Sequence, residues 1–432
     1  LVAVASSEFL LALNGEGNTL FFTFINTIER VIEVASSPGN SRILIFSILI
    51  GALLAYIRES GGVAATVNLL MNKGVAKSKR QVGYLTMFSG IAVFIESNLS
   101  VLTSGILSRG LFDKFKMSRA RLAYIIDSTS APVCILILLN GWGAYVLGLL
   151  GNYEMEESAV SVLWGSIGYN FYAIITLLIV FYTITFDKVH GPLKQAEENL
   201  EQQETELTEE VKGSKARYML VPLITLIGSM VGFMFWTGDG DIASGSGSKS
   251  VLYATILACV VAYFLMISSR EFTHHKLVDI GFKGMGELLP LVSIVLLSLT
   301  LGASLKDLGT GVFVAGLVGD FLPIYLVVPV LFITGAVISF TTGTSWGTFA
   351  ILIPIGVPLI QALGLPPSLV IAAILGGGVF GDHCSPISDT SAVSAIASGC
   401  DLLTHVKTQM PYALFGGALT FIAYLVTSII VL

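Results

Sequence analysis

The chain has 432 residues, 54% of them hydrophobic and only 12% charged, about half the charged share of an ordinary soluble domain. Charge is costly in hydrocarbon, so the composition argues against a soluble domain and predicts a polytopic α-helical protein in contact with membrane lipid. The net charge of −6 is small and its acidity is local, which gives no sign of a nucleic-acid partner.

A spanning helix needs about 20 mostly apolar residues. No cleavable leader is expected at the start of the sequence. Residues 21–34 are amphipathic and suit the membrane interface. Residues 42–57 are the first clear span, and the charged pair Arg58 and Glu59 marks its end. Loops 73–80 and 109–121 are rich in Lys and Arg, which places both on the cytoplasmic side. The segment between them, residues 81–108, therefore begins and ends on one side, and IESNLS at residues 95–100 breaks it in the middle. A re-entrant hairpin fits both facts better than a single span, because non-helical backbone survives at membrane depth where protein or water covers it.

Residues 163–186 form the next span. Residues 187–217 contain KQAEENLEQQETELTEEVKGSKAR and cannot cross a bilayer. They predict a solvated, partly helical cytoplasmic linker, a tether in the first reading and a regulatory element in the second. Spans at 220–236, 251–267, 288–301, 325–340 and 412–432 complete the pass. The organisation is thus a first transmembrane repeat (1–186), a charged linker (187–217) and a second repeat (218–432). Cys134, Cys259, Cys384 and Cys400 scatter without metal-ligand spacing and read as small core residues.

Three blocks recur in the same order in both halves. LLAYIRESGGVAATV (53–67) matches LGASLKDLGTGVFVAG (301–316), GIAVFIESNLS (90–100) matches GAVISFTTGTS (335–345), and IIDSTSAPVC (125–134) matches FGDHCSPIS (380–388). The expected fold is all-α, with two inverted repeats that each hold a re-entrant hairpin and a broken transmembrane helix. Paired interruptions at corresponding places in two halves point to a transporter's central site.

The second interruption, GGGVFGDHCSPISDTSAVSA (376–395), joins a Gly run, a Pro and a cluster of oxygen-bearing side chains. Gly and Pro disfavour a continuous helix. Backbone carbonyls freed there, with Asp382, Ser385, Ser388, Asp389 and Thr390, offer the oxygen shell that a hard cation such as sodium requires. Asp382 and Asp389 are the candidate metal ligands. A carboxylate shielded from water binds protons more readily, so one group can trade a proton for a cation, the chemical requirement of antiport. Asp127, with Ser128 and Thr129, holds the matching place in the first half as a candidate ion site. Helix capping is the plainer role for these Asp and Ser residues, and one side chain can do both.

Glu96, Ser97 and Asn98 form one hairpin tip; Thr341, Thr342, Thr344 and Ser345 form the other. Facing tips would enclose a small polar solute, although Ser, Thr and Asn also favour plain turns. His383 is a further candidate for binding the solute, and His383 and His405 are candidates for a proton relay, with a structural hydrogen bond as the alternative. Trp142 and Trp346 follow the breaks, where packing is the expected role and lining a site the alternative.

GDHCSPISDTSAVSAIASGCDLLTHVKTQMPYAL (381–414) closely resembles the signature of the NhaC-type sodium/proton antiporter family, and SRARLAYIIDSTSAPVCILILLNGWGAYVLGLL (118–150) resembles its first-half block. The resemblance implies a bacterial plasma (inner) membrane location, a homodimer, and a moving transport part held on a scaffold part. It places Asp127 on the family's first-half carboxylate, and Asp382, Ser385 and Asp389 on second-half positions. Many relatives carry two adjacent acids and an aromatic where this chain has FIESNLS, so Glu96 keeps one acid and Ser97 replaces the other.

The leading expectation is a secondary active transporter, most simply a sodium/proton antiporter with no resident cofactor. The alternative keeps the scaffold and moves an amino acid, carboxylate or amine with sodium or protons. A channel is disfavoured because pores tend to be rings of equivalent groups, and no nucleophile turn supports a hydrolase.

Overall fold

Apolar runs bounded by polar caps fold as helices along the whole chain, and no strand occurs among the described residues. The computed structural model describes residues 2–13, 20–62, 65–66, 77–94, 96–151, 153–199, 214–242 and 245–432. Residues 73–76 of the first basic loop, Ile95 of the hairpin tip and residues 200–213 of the linker lie outside that set.

The first half runs α1 (Val2–Leu13), α2 (Leu20–Ser36), α3 (Pro38–Glu59), α4 (Lys79–Ala92), α5 (Ser97–Lys114), α6 (Arg119–Ser128), α7 (Ala131–Cys134), α8 (Gly141–Leu150), α9 (Ala159–Ser166), α10 (Phe171–Thr185) and α11 (Gly191–Glu198). The second half runs α12 (Arg217–Thr237), α13 (Gly247–Ser268), α14 (His274–Glu287), α15 (Leu289–Asp307), α16 (Thr310–Phe321), α17 (Ile324–Thr342), α18 (Ser345–Leu363), α19 (Pro367–Cys384), α20 (Asp389–Ser398) and α21 (Leu402–Val431).

Among the described residues eight helices are long and apolar enough to cross a bilayer. The chain is a multi-pass membrane protein. Six of the expected spans fall on such helices: α3, the joined α9–α10 stretch, α12, α13, α17 and α21. The span expected at 288–301 is instead the second arm of a pair, α14 and α15, bent by 41°. The reading of apolar runs passed over α18 and α19. Pro354 and Pro358 sit inside α18, and its three consecutive glycines make α19 less apolar than the other spans.

Helices α4 and α5 pack against each other as the first hairpin, and α17 and α18 as the second. Each hairpin leads to a helix that breaks. After α6 the chain turns at Thr129–Ser130, makes the single turn of α7, and restarts at α8; after α19 it breaks at Ser385–Ser388 and restarts at α20. Both breaks are stitched to their own hairpin. Asn140 Nδ2 donates to Phe94 O at 3.0 Å, and also to Cys134 O and Ile137 O at 2.9 and 2.8 Å. Ser385 Oγ donates to Phe340 O at 2.8 Å. The halves also trade partners: α5 of the first hairpin packs on α20, and α18 of the second packs on α8. This order of elements is consistent with the two-repeat arrangement.

The Gly run corrects one expectation. Gly376, Gly377 and Gly378 lie inside the continuous helix α19, not at its break. Their work is close packing. A Cβ on Gly377 would stand 2.3 Å from Phe332 O, and one on Gly381 would stand 2.1 Å from Ala336 O. Two glycines one turn apart thus let the backbone of α17 press onto α19, as small residues do between helices in lipid.

The start of the linker is docked, not free. Glu197 accepts from Ser118 N at 2.7 Å, Arg121 pairs with Asp187 at 2.8 Å and with Glu197 at 3.1 Å, and Leu193 is buried. Residues 187–199 therefore sit at the N-terminus of α6, on the face of the second basic loop.

Candidate functional site

Both hairpin tips and the second break open onto one cavity of about 400 Å³. Glu96, Ser97 and Asn98 line it from the first tip, Thr342, Thr344 and Ser345 from the second, and Asp382, Asp389 and Thr390 from the broken helix. Local chemistry fixes each of them. Glu96 caps α5 by accepting from Leu99 N at 2.7 Å, and Thr344 caps α18 by accepting from Gly347 N at 3.4 Å. Side-chain caps satisfy amides that a helix start leaves unpaired. Gly343 between the tip threonines has φ +68°, and a Cβ there would lie 2.6 Å from Ile387 O, so only glycine lets the tip touch the break.

Asp382 is buried, and its Oδ2 accepts from Thr390 Oγ1 at 3.0 Å while Oδ1 has no partner. Asp389 Oδ1 accepts from Thr390 N at 3.0 Å. Trp142 and Trp346 also line the cavity, edge to face with centroids 5.7 Å apart, so packing and lining coincide in them. Glu287, at the bend between α14 and α15, is a lining acid that the sequence reading missed. It takes both contacts of an ion pair with Arg58, at 2.8 and 2.9 Å.

The remaining candidates gather elsewhere. Asp127 is fully buried, and its Oδ2 meets His405 Nε2 at 3.2 Å, Gln409 Nε2 at 2.5 Å and Ser391 Oγ at 3.4 Å. Gln409 Nε2 also donates to His383 O at 3.1 Å, and His383 Nδ1 lies 3.0 Å from the Tyr172 hydroxyl. Thr129 Oγ1 donates to Ile125 O at 2.7 Å, and Ser128 is buried on the flank of this cluster. The Ser385 hydroxyl is taken by Phe340 O. Gln409 and Ser391 escaped the sequence reading. One signal was present: His405 and Gln409 stand four apart, on one face of a long, mostly apolar helix.

The model of the Na+/H+ antiporter family matches residues 133–429. An uncharacterized protein of Haemophilus influenzae is 30% identical over 434 residues, covering 95% of this chain and 83% of its own. The malate-2H(+)/Na(+)-lactate antiporter of Bacillus subtilis is 37% identical over 98 residues, a local match to 22% of this chain and 19% of its own. In fold, the chain resembles the crystal structure of the Alcanivorax borkumensis YdaH transporter, with a TM-score of 0.60 at 13% identity, covering 95% of this chain and 89% of that one. The chain belongs to the Na+/H+ antiporter family, a family of transporters and not of enzymes, and is an ion-coupled secondary transporter.

Proposed function

We propose that this transporter exchanges sodium ions for protons, and that sodium binds in the cavity at Asp382 and Asp389 with Thr390 beside them. One observation carries the reading. Glu96, Asp382 and Asp389 line the cavity, and no Lys, Arg or His is among its lining residues; the fourth lining acid, Glu287, is already paired with Arg58. Clustered oxygens suit a hard cation, and an anion would meet repulsion there. Buried carboxylates need a counter-charge, which a bound cation supplies. Ser97, Asn98, Thr342, Thr344 and Ser345 supply neutral oxygens around the cargo, and Ser385 holds the break in place. Asp127, Ser128, Thr129 and His383 belong to the neighbouring buried cluster. Family resemblance supports a homodimer in a bacterial plasma membrane.

Purified protein in liposomes, given a sodium gradient with a pH-sensitive dye inside, tests this. Sodium-dependent proton movement with no organic solute present is the expected result. If protons move only after an organic solute is added, the sodium/proton reading is wrong.

Size favours a second reading. The cavity of about 400 Å³ far exceeds a bare ion and matches the sites that hold small molecules. The faces of Trp142 and Trp346 would suit an organic cation, such as an amine or a basic amino acid. The Bacillus subtilis relative is named for organic solutes. Under this reading Trp142→Ala weakens amine-driven proton movement about tenfold and leaves sodium-driven movement unchanged.

A further inference from the structure

We propose that the coupling proton is carried by Asp127 and His405, in a closed pocket of their own, and not by the carboxylates of the cavity. The proposal rests on the antiport reading above. Four elements build the pocket: α6 brings Asp127, α19 His383, α20 Ser391, and α21 both His405 and Gln409.

The side chains of Asp127 and His405 are both 0% exposed. Three potential donors converge on one oxygen of Asp127, from His405, Gln409 and Ser391. Cations are ligated by acceptor oxygens, so this shell suits a fixed negative charge and not a metal ion. Yet the cluster is incomplete. Asp127 Oδ1, His405 Nδ1, His383 Nε2 and Gln409 Oε1 are buried and have no hydrogen-bond partner. Buried polar atoms nearly always find one, so these four keep bonding capacity that the neighbouring side chains leave unused.

His405 offers a place for a proton. With the hydrogen of neutral His405 on Nε2, facing Asp127, the Nδ1 lone pair is bare. A hydronium ion gives one proton to Nδ1: an N–H bond forms, one O–H bond breaks, and water is left. The pair passes from one net negative charge to none, as imidazolium beside carboxylate. The other titratable groups around the pair are His383, Asp382, Asp389, Tyr124, Tyr172 and Tyr412; Arg121, with Asp187 and Glu197, lies at the far end of α6.

Two further features flank the pocket, a small void and a link. A void of about 10 Å³, room for roughly one water, lies among Tyr124, Ser128, Tyr172, His383, Gln409 and Tyr412. The Tyr412 hydroxyl accepts from His190 N at 2.6 Å and donates to His190 O at 3.3 Å, at the start of the docked linker. The link is the first turn of α20. Thr390 donates to Asp382, which lines the cavity, and the next residue, Ser391, donates to Asp127. A shift of that one turn disturbs both carboxylates together.

His405→Gln tests the assignment, since the amide can still donate to Asp127 but cannot hold the proton. Sodium binding is measured by calorimetry in buffers of different protonation enthalpy, which counts the protons released per cation. Wild-type protein should release about one, and His405→Gln should release almost none and bind sodium about tenfold or more tightly, because a proton that sodium expels weakens sodium binding by the same factor and the variant cannot hold it. Equal proton release in both proteins overturns the proposal alone. Wild-type protein that binds no sodium and releases no proton overturns the antiport reading and this proposal with it. A variant-free check is the sodium-induced infrared difference spectrum of the wild-type protein. A histidine ring mode supports the assignment, and a protonated-carboxyl band without one overturns it.

Discussion

Asp382 and Asp127 occupy matching places in the two halves, each near the end of the helix before a break, and both are buried. Each has one oxygen bonded and one without a partner. Their neighbours differ. Asp382 lines a cavity with other acids and bonds to the hydroxyl of Thr390; Asp127 is closed in by an imidazole, an amide and a hydroxyl. Position before a helix break therefore places a carboxylate, and the partners delivered by distant helices decide what it can hold.

The contrast breaks most sharply under matched substitutions. Asp382→Asn should lower sodium-driven proton movement by about 100-fold or more, because it removes a ligand charge, and should leave thermal stability equal or higher, because it removes one of several like charges. Asp127→Asn should do the reverse to stability. It strips the acceptor charge from a fully buried His–Asp pair, and losing one partner of such a pair costs about 3–5 kcal/mol, read as a drop in unfolding temperature in detergent. Equal stability changes in the two variants would erase the distinction.

A smaller effect sharpens the packing side of the comparison. Gly381 precedes Asp382, where Ile126 precedes Asp127. Gly381→Ala drives a methyl into Ala336 O and Phe340 N, and such overpacking costs about 1–3 kcal/mol. Conversion of Ile126 to Val in the first half should cost about 0.5–1.5 kcal/mol, through lost volume and not through collision. The smallest effect concerns the tips. Glu96→Ala should cost about 1 kcal/mol by uncapping α5, whereas Glu96→Gln keeps an acceptor for Leu99 N and loses only the charge. Sodium affinity should fall in both variants and stability in the first alone.

Much of this organisation is legible in the sequence because membranes punish polar breaks. Ile95–Ser100 stands out inside an apolar segment, and so does the run from Gly381 to Ser391; both lead to the cavity through Glu96, Thr390 and the two second-half acids. What could not be read is convergence. His405 and Gln409 reach Asp127 across sequence separations of 278 and 282 residues, and no local pattern encodes that meeting. Gly377 and Gly381 mislead for a related reason. Glycine lowers helix propensity wherever it occurs, and only the neighbouring α17 turns that weakness into a seat.

The exchange of partners between halves has a consequence for biosynthesis. Ser391 completes the shell of Asp127 from 264 residues downstream. At about 5–20 residues per second, the ribosome needs between roughly ten seconds and one minute to cover that distance. For that interval the first half holds a buried carboxylate and a hairpin without their partners. A nascent chain of this design should therefore depend on the insertion machinery to shelter its first half, and a stall in translation after α10 should expose it to membrane proteases.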